Sequence, residues 1–287
     1  MDVAIFFQVI VNGILLGGLY MTVSVGLNLV YGVMRIVNYA QGELLMLGMY
    51  LSYWIFVLTG LNPYISIPVV CAILFAMSLV LHKYAVEPLL KLPYECQVIT
   101  FIGLIYIFQN AALLLWSPNY RSVIIGFASE SINLLSISIP VGRLIATLAS
   151  ITAAFFLYII LKKTTIGLFI RATSQDPIAA SMMGIDIKKI RLLTFALSSA
   201  MMGIGAGIML PLYYVYPFMG NFYTIIALII ITLGGLGNFI GTILGSFVIG
   251  ITEAMVGTYI SAEIGLAVAF IIFISILLIR PSGIMGE

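Results

Sequence analysis

The sequence predicts an all-α integral membrane protein, a polytopic bundle of about eight to ten membrane segments, some of them short or broken. Three observations predict it. The 287 residues are 63% hydrophobic and 8% charged, with a mean hydropathy of +1.23. A soluble domain carries about 25% charged residues, and so few charges cannot cover a water-facing surface. Apolar stretches of about 20 residues recur, the length that crosses a hydrocarbon core of about 30 Å. These stretches lack the regular ten-residue alternation of a lipid-facing barrel, so they are expected to be helices.

Candidate spans run at 4–22, 24–34 (short), 41–58, 64–82, 97–116, 143–161, 194–212, 222–240, 242–257 and 262–279. The segment 4–34 is too long for one straight helix and too short for two full ones. The chain starts Met-Asp-Val, without a basic leader region, so its first span is not expected to be a cleavable signal. Cys71 and Cys96 are too few to form a disulfide or metal framework. His82 is the single histidine, which argues against a zinc site or a Ser-His-Asp triad. A net charge of +2 implies no nucleic-acid partner.

Charge sets the expected topology. Residues 162–191 hold Lys162, Lys163, Arg171, Lys188, Lys189 and Arg191, half of the twelve Lys and Arg. The positive-inside rule places this island in the cytoplasm. Four crossings later Arg280 and the C-terminus return to the same side. Counting backwards puts 82–96 inside with Lys83 and Lys91, and 59–63 and 117–142 outside with Arg121 and Arg143. Arg35 is left near the membrane. The N-terminus is external if 4–34 makes one net crossing. In the external loop, Leu135-Ser136-Ile137-Ser138-Ile139 alternates as a short strand or an interfacial segment would. That loop is either a connector or part of a docking surface.

Within the island, Asp176-Pro177 is a helix start, with Asp as N-cap and Pro at the first helical position. A helix of about seven residues should run to Met183 and stop at Gly184. Asp186 should cap a second helix that enters the next span. A seven-residue helix is marginal alone. Ala179, Ala180 and Ser181 permit close approach, and Ile178, Met182 and Met183 want burial. The helix should therefore lie on the protein's own face or in a partner's groove. A second polar cluster, Asn28, Tyr31, Arg35, Asn38, Gln41 and Glu43, interrupts an apolar region, with Gly32 and Gly42 as backbone breaks. A charge at membrane depth costs about 2.5–3.5 kcal/mol on insertion scales. Either Glu43 pairs with Arg35 structurally, or the segment lines or gates a path, since broken backbone persists only where it is buried or lines a cavity. A third segment, TLGGLGNFIGTILG at 232–245, breaks a span with Gly234, Gly235 and Asn238. Paired breaks can mark a transport pathway. The Gly-x-x-x-Gly spacings at 13/17, 203/207 and 241/245 suit close helix packing. Glu253 and Glu263 flank a short external turn, and Tyr213, Tyr214 and Tyr216 suit an interfacial belt.

These motifs carry a family resemblance. RATSQDPIAASMMGIDIKKIRLLTFALSSAMMGIGAG resembles the cytoplasmic EAA-type coupling loop of bacterial ABC importer permeases. It is particularly similar to the permeases for branched-chain amino acids, with their pattern RA-x-SQD…A…MGI-x…TFA. Here Ile-Ala-Ala stands where many members have Glu-Ala-Ala, which removes one acidic contact. GLNLVYGVMRIVNYAQGE, from Gly26 to Glu43, resembles the GLNL-x-YG-x-M…N-(F/Y)-A-(H/Q)-G-(E/D) segment of LivH-type permeases, with Gln41 where His is common. The closing LIRPSGIMG resembles the family's RP-x-G-(L/I)-x-G ending.

The resemblance covers about residues 5–286. It implies one transmembrane permease domain over 1–287 with a coupling loop at about 162–193. Arg171, Ser174, Gln175, Asp176, Pro177, Ala179, Ala180, Met183, Gly184 and Ile185 are the expected ATPase-coupling residues. Asn28, Tyr31, Gly32, Asn38, Gln41, Gly42, Glu43, Gly234, Gly235 and Asn238 are the expected pathway or gate residues. The implied partners are a homologous second permease, two ABC ATPases, an extracytoplasmic binding protein and membrane lipid, in a bacterial or archaeal cytoplasmic membrane. The chain lacks the phosphate-loop pattern G-x-x-x-x-G-K-[ST], so ATP and Mg belong to the partner ATPases. The implied solutes are Leu, Ile and Val, with urea or short amides as the alternative. An ion-coupled transporter needs intramembrane carboxylates, for which Glu43 and Glu253 qualify, but it leaves the island unexplained. A membrane enzyme is disfavoured by the lack of clustered His, Asp and Cys.

Overall fold

A computed structural model describes residues 3–134, 137–280 and 282–285. Leu135 and Ser136 of the alternating tail, the Glu263 side chain, and Pro281 and Gly286 of the C-terminal motif lie outside the described residues. Helix α1 (Val3–Met34) is one unbroken helix of 32 residues, about 48 Å long at 1.5 Å per residue. This corrects the division of 4–34 into two pieces. The run contains no proline, and its glycines are seats for neighbouring helices rather than breaks. Arg35 then takes a left-handed conformation, φ 56°, and ends the helix.

α2 (Gln41–Thr59) and α3 (Pro63–Leu81) follow. The chain remains helical past the expected end at 82, through a π turn (His82–Val86) and a short α4 (Glu87–Leu89). The π turn bonds Glu87 N–H to the His82 carbonyl and shifts the ladder just before Pro88, which has no N–H to offer. α5 (Tyr94–Trp116) leads to a two-stranded antiparallel hairpin, β1 (Ser131–Leu134) and β2 (Ile137–Pro140), paired from Ser131↔Pro140 to Leu134↔Ile137. The segment holding the alternating tail is thus a strand where it is described. α6 (Val141–Lys163), α7 (Thr165–Gln175), α8 (Pro177–Met182) and α9 (Ile187–Met209) come next, then α10 (Met219–Gly234), α11 (Phe239–Tyr259) and α12 (Ala262–Ile279). The expected span 222–240 therefore stops at Gly234, because Gly235 and Gly237 turn the chain with φ 105° and 83°. Among the described residues, seven helices are long and apolar enough to cross a membrane.

Helix α9 is the central pillar. Of its apolar stretch 72% is buried, against 22% in the α3–α4 span and in α5, which are peripheral. α1 packs along α11, α9, α6 and α10. Small residues set these crossings. A Cβ on Gly250 would meet Gly17 N at 2.4 Å and Gly13 O at 2.6 Å, so α1 and α11 touch backbone to backbone. Gly203 does the same for α9 against the Cys71 backbone of α3, and Gly207 seats the Ile67 side chain of α3. The Gly-x-x-x-Gly spacings are packing surfaces, as expected.

Loops gather at two opposite ends. At one end Tyr39 bonds Tyr94, Asn28 bonds Gly237, Ser174 bonds Gly32 and Asn238 bonds Met285. At the other, Gln8 bonds Ser138 twice at 2.7 Å, and Arg121 and Val215 exchange backbone bonds at 3.0 and 2.8 Å. Arg121 and Arg143 belong to the second end. The remaining Lys and Arg (Arg35, Lys83, Lys91, Lys162, Lys163, Arg171, Lys188, Lys189, Arg191 and Arg280) lie toward the first.

Candidate functional site

The coupling segment is built from capping chemistry. Thr164 accepts from Gly167 N–H at 3.1 Å and starts α7, a helix that the sequence reading missed although this cap announces it. Arg171 donates to the Leu161 carbonyl and fastens α7 to the end of α6. Asp176 Oδ1 accepts from Ile178 N–H at 2.8 Å and Ala179 N–H at 3.0 Å, with Pro177 at the first position. α8 ends at Met182, one residue before the expected limit, and Gly184 takes φ 83°. Asp186 accepts from Lys189 N–H at 3.2 Å and caps α9. That backbone N–H, together with the Lys189 ammonium, holds its carboxyl below the ordinary range.

α8 leaves most of its apolar surface open. Ala180 is buried, whereas Ile178, Met182 and Met183 are 69%, 82% and 83% exposed. Ala179 is exposed as well, and Ile185 is half-buried. The helix therefore seats one small side chain on the protein and presents its large ones outward.

The structure joins this segment to part of the first expected pathway cluster. Ser174 donates to the carbonyl of Gly32, and Gly32 faces Gly237 across backbone. Asn28 Oδ1 accepts from Gly237 N–H at 2.7 Å. A cavity of about 280 Å³ lies here, lined by Asn28, Gly32, Arg171, Ser174 and Gln175, among others. Tyr31 is half-buried and is not among the residues that line it.

The other expected pathway residues separate into two groups. Asn38, Gln41, Gly42 and Glu43 form a buried knot at the start of α2. Asn38 donates to Gln41 at 2.9 Å, Gln41 to Ser198 at 2.9 Å, and Ser198 to the Gly26 carbonyl at 2.7 Å, tying α1, α2 and α9 together. Gly42 N–H donates to Thr224 of α10 at 2.8 Å. A Cβ on Gly42 would lie 2.0 Å from the Gly220 carbonyl oxygen, so only glycine permits this crossing. Glu43 is fully buried, accepts from Gln109 of α5 at 2.9 Å, and has a second oxygen without a partner. The pairing of Glu43 with Arg35 does not form: Arg35 is exposed beyond the end of α1, and Gln109 occupies the carboxylate. Gly234, Gly235 and Asn238 instead build the α10–α11 turn. Gly234 packs on the Gly241 backbone, and Asn238 caps α11 through Gly241 N–H at 2.9 Å while donating to Met285 at 2.9 Å.

At the opposite end lies a cavity that the sequence reading missed, about 590 Å³ in volume. Tyr213, Tyr214 and Tyr216, expected as an interfacial belt, line it with Tyr20, Tyr120, Tyr223, Arg143 and Glu253. Burial pushes the Tyr213 hydroxyl above its ordinary range. Glu253 is not at a turn but inside α11, its carboxylate held by the Tyr20 hydroxyl at 3.0 and 3.1 Å. The residues that line this cavity are scattered along the chain, so no local motif announces it.

A polytopic helical bundle with an outward-facing capped helix at one end and a cavity at the other suits a membrane transport subunit. The chain belongs to the family of branched-chain amino acid transport system permease components, whose model matches residues 9–277. It is thus an ABC importer permease, without an ATPase of its own. It is 28% identical over 302 residues to the high-affinity branched-chain amino acid transport system permease protein LivH of Escherichia coli K12, covering 98% of this chain and 96% of that one. It is also 28% identical over 294 residues to a probable LivH of Methanocaldococcus jannaschii, covering 97% and 92%. To BraD of Pseudomonas aeruginosa it is 27% identical over 298 residues, covering 98% and 96%. No solved structure matches the chain.

Proposed function

We propose that this chain forms the single permease domain of one of two homologous permease subunits, and that the importer takes up leucine, isoleucine and valine. Two partner ATPases bind the end that carries α8, and an extracytoplasmic binding protein delivers solute to the opposite end. The α8 end then faces the cytoplasm of a bacterium or archaeon, in keeping with the ten basic residues gathered toward it.

One observation carries the reading: a short, capped helix whose large apolar side chains point away from the protein at the basic end. A short helix of this kind is stable only with a groove to fill. ATP binding that closes the two ATPases would move α8. α7 transmits the movement through Ser174 to α1 and the α10–α11 turn. The buried knot at Gln41 and Ser198 keeps α1, α2 and α9 moving as one body, which suits alternating access by rigid-body displacement.

The test is uptake by proteoliposomes holding both permeases, both ATPases and the binding protein. ATP-dependent accumulation of labelled L-leucine is expected. Accumulation of urea without leucine, or of leucine without ATPases, refutes it.

A further inference from the structure

A cavity of about 590 Å³ lies at the end opposite α8. Its volume is that of a small-molecule site, ~300–1,000 Å³. Its wall holds one cation and one carboxylate, Arg143 at the start of α6 and Glu253 in α11. Both line the same cavity, together with Tyr213. They do not pair with each other: among the described residues, ion pairs within 4.0 Å join His82 to Glu87 and Lys189 to Asp186.

The carboxylate is held in place. Both Glu253 oxygens accept from the hydroxyl of Tyr20, which is 4% exposed and packs edge-on against Tyr223. One neutral donor does not neutralise a carboxylate, and a charge inside a membrane protein is expensive unless paired or wet. A cation and a carboxylate that line one cavity without pairing with each other match a ligand with opposite charges of its own. An ammonium suits Glu253, and a ligand carboxylate suits the planar fork of Arg143. Leu16, Met219, Phe222 and Ala254 give the same cavity an apolar wall for an aliphatic side chain. A neutral diamide such as urea can hydrogen-bond both groups but neutralises neither.

We propose that this cavity is a binding subsite in the permease for a free, zwitterionic α-amino acid, with Glu253 and Arg143 as its specificity-determining residues. The proposal rests on the amino-acid importer reading above. The subsite receives the solute from the binding protein and rejects molecules that lack either charge.

The test uses the intact complex of permeases and ATPases in lipid nanodiscs, without binding protein. Equilibrium binding of labelled L-leucine is measured against two competitors, L-leucinamide, which lacks the carboxylate, and 4-methylpentanoate, which lacks the ammonium. Saturable leucine binding is expected, with each analogue about tenfold or more weaker, the cost of one lost charge-assisted bond. Glu253→Gln should erase the preference for leucine over 4-methylpentanoate, and Arg143→Gln the preference over leucinamide. The wild-type competition needs no variant to fold. Absent leucine binding, equal competition by all three, or preferences unchanged in the variants overturns the subsite. If leucine uptake in the complete system persists beside that result, the importer reading stands. If wild-type protein takes up no leucine, both fall.

Discussion

Replacing Asp176 by Ala should separate ATP hydrolysis from uptake without unfolding the bundle. Asp176 accepts two of the first backbone N–H groups of α8, from Ile178 and Ala179, at 2.8 and 3.0 Å. Losing such a cap costs about 0.5–2 kcal/mol, commonly ~1. α8 has six residues, and little else holds it. Ala180, 5% exposed, is its one buried side chain, and burying a single methyl is worth about 0.8 kcal/mol. The cap therefore rivals the burial term, and ~1 kcal/mol shifts the ratio of ordered to disordered α8 about fivefold. The spans do not depend on α8, so Tm in detergent should stay at the wild-type value. Uptake of labelled leucine per assembled complex should fall, by up to about fivefold, while ATP hydrolysis continues. Asp176→Asn keeps a side-chain acceptor and should retain most of the uptake. Wild-type uptake by Asp176→Ala, or equal damage by both substitutions, would refute the capping argument.

At Gly184 the φ of 83° and the open space where a Cβ would sit make Gly184→Ala a purely conformational penalty, about 1–2 kcal/mol. It should lower uptake, Gly184→Asn should lower it less, and a reversed order in the uptake assay would count against the turn. Glu43→Gln keeps the acceptor for Gln109 and removes a buried carboxylate with one unpaired oxygen. Folded yield by size-exclusion chromatography should hold or rise while uptake per folded molecule drops, and unchanged uptake would leave Glu43 with packing alone. Gly250→Ala forces α1 and α11 apart and should lower stability by about 1–3 kcal/mol, read as a lower Tm in detergent. Gly103→Ala, in α5 with open space around it, is the control and should hold or raise Tm.

Much of the fold was legible because helix ends and membrane lengths are local properties. Asp176-Pro177, Gly184 and Asp186 announce their boundaries through side-chain caps and one left-handed turn, and α8 misses its expected end by a single residue. Thr164 carried the same kind of signal for α7. The misreading of 4–34 has a physical cause. Gly13, Gly17, Gly18 and Gly26 lower helix propensity locally, but neighbouring helices press against each of them and restore the continuous helix.

The site divides in the same way. The sequence alone determined that this chain spans a membrane and that one basic end carries a capped, self-insufficient helix, because charge count, span length and capping need no distant partner. It also marked the family through those same local motifs. Tertiary structure decided what the polar residues do. Gln41 and Ser198 are 157 positions apart, Asn28 and Gly237 209 apart, and Tyr20 and Glu253 233 apart. Glu43 meets Gln109 rather than Arg35, and Arg143 meets the tyrosine cavity, because helix packing rather than spacing along the chain sets which charges share a space.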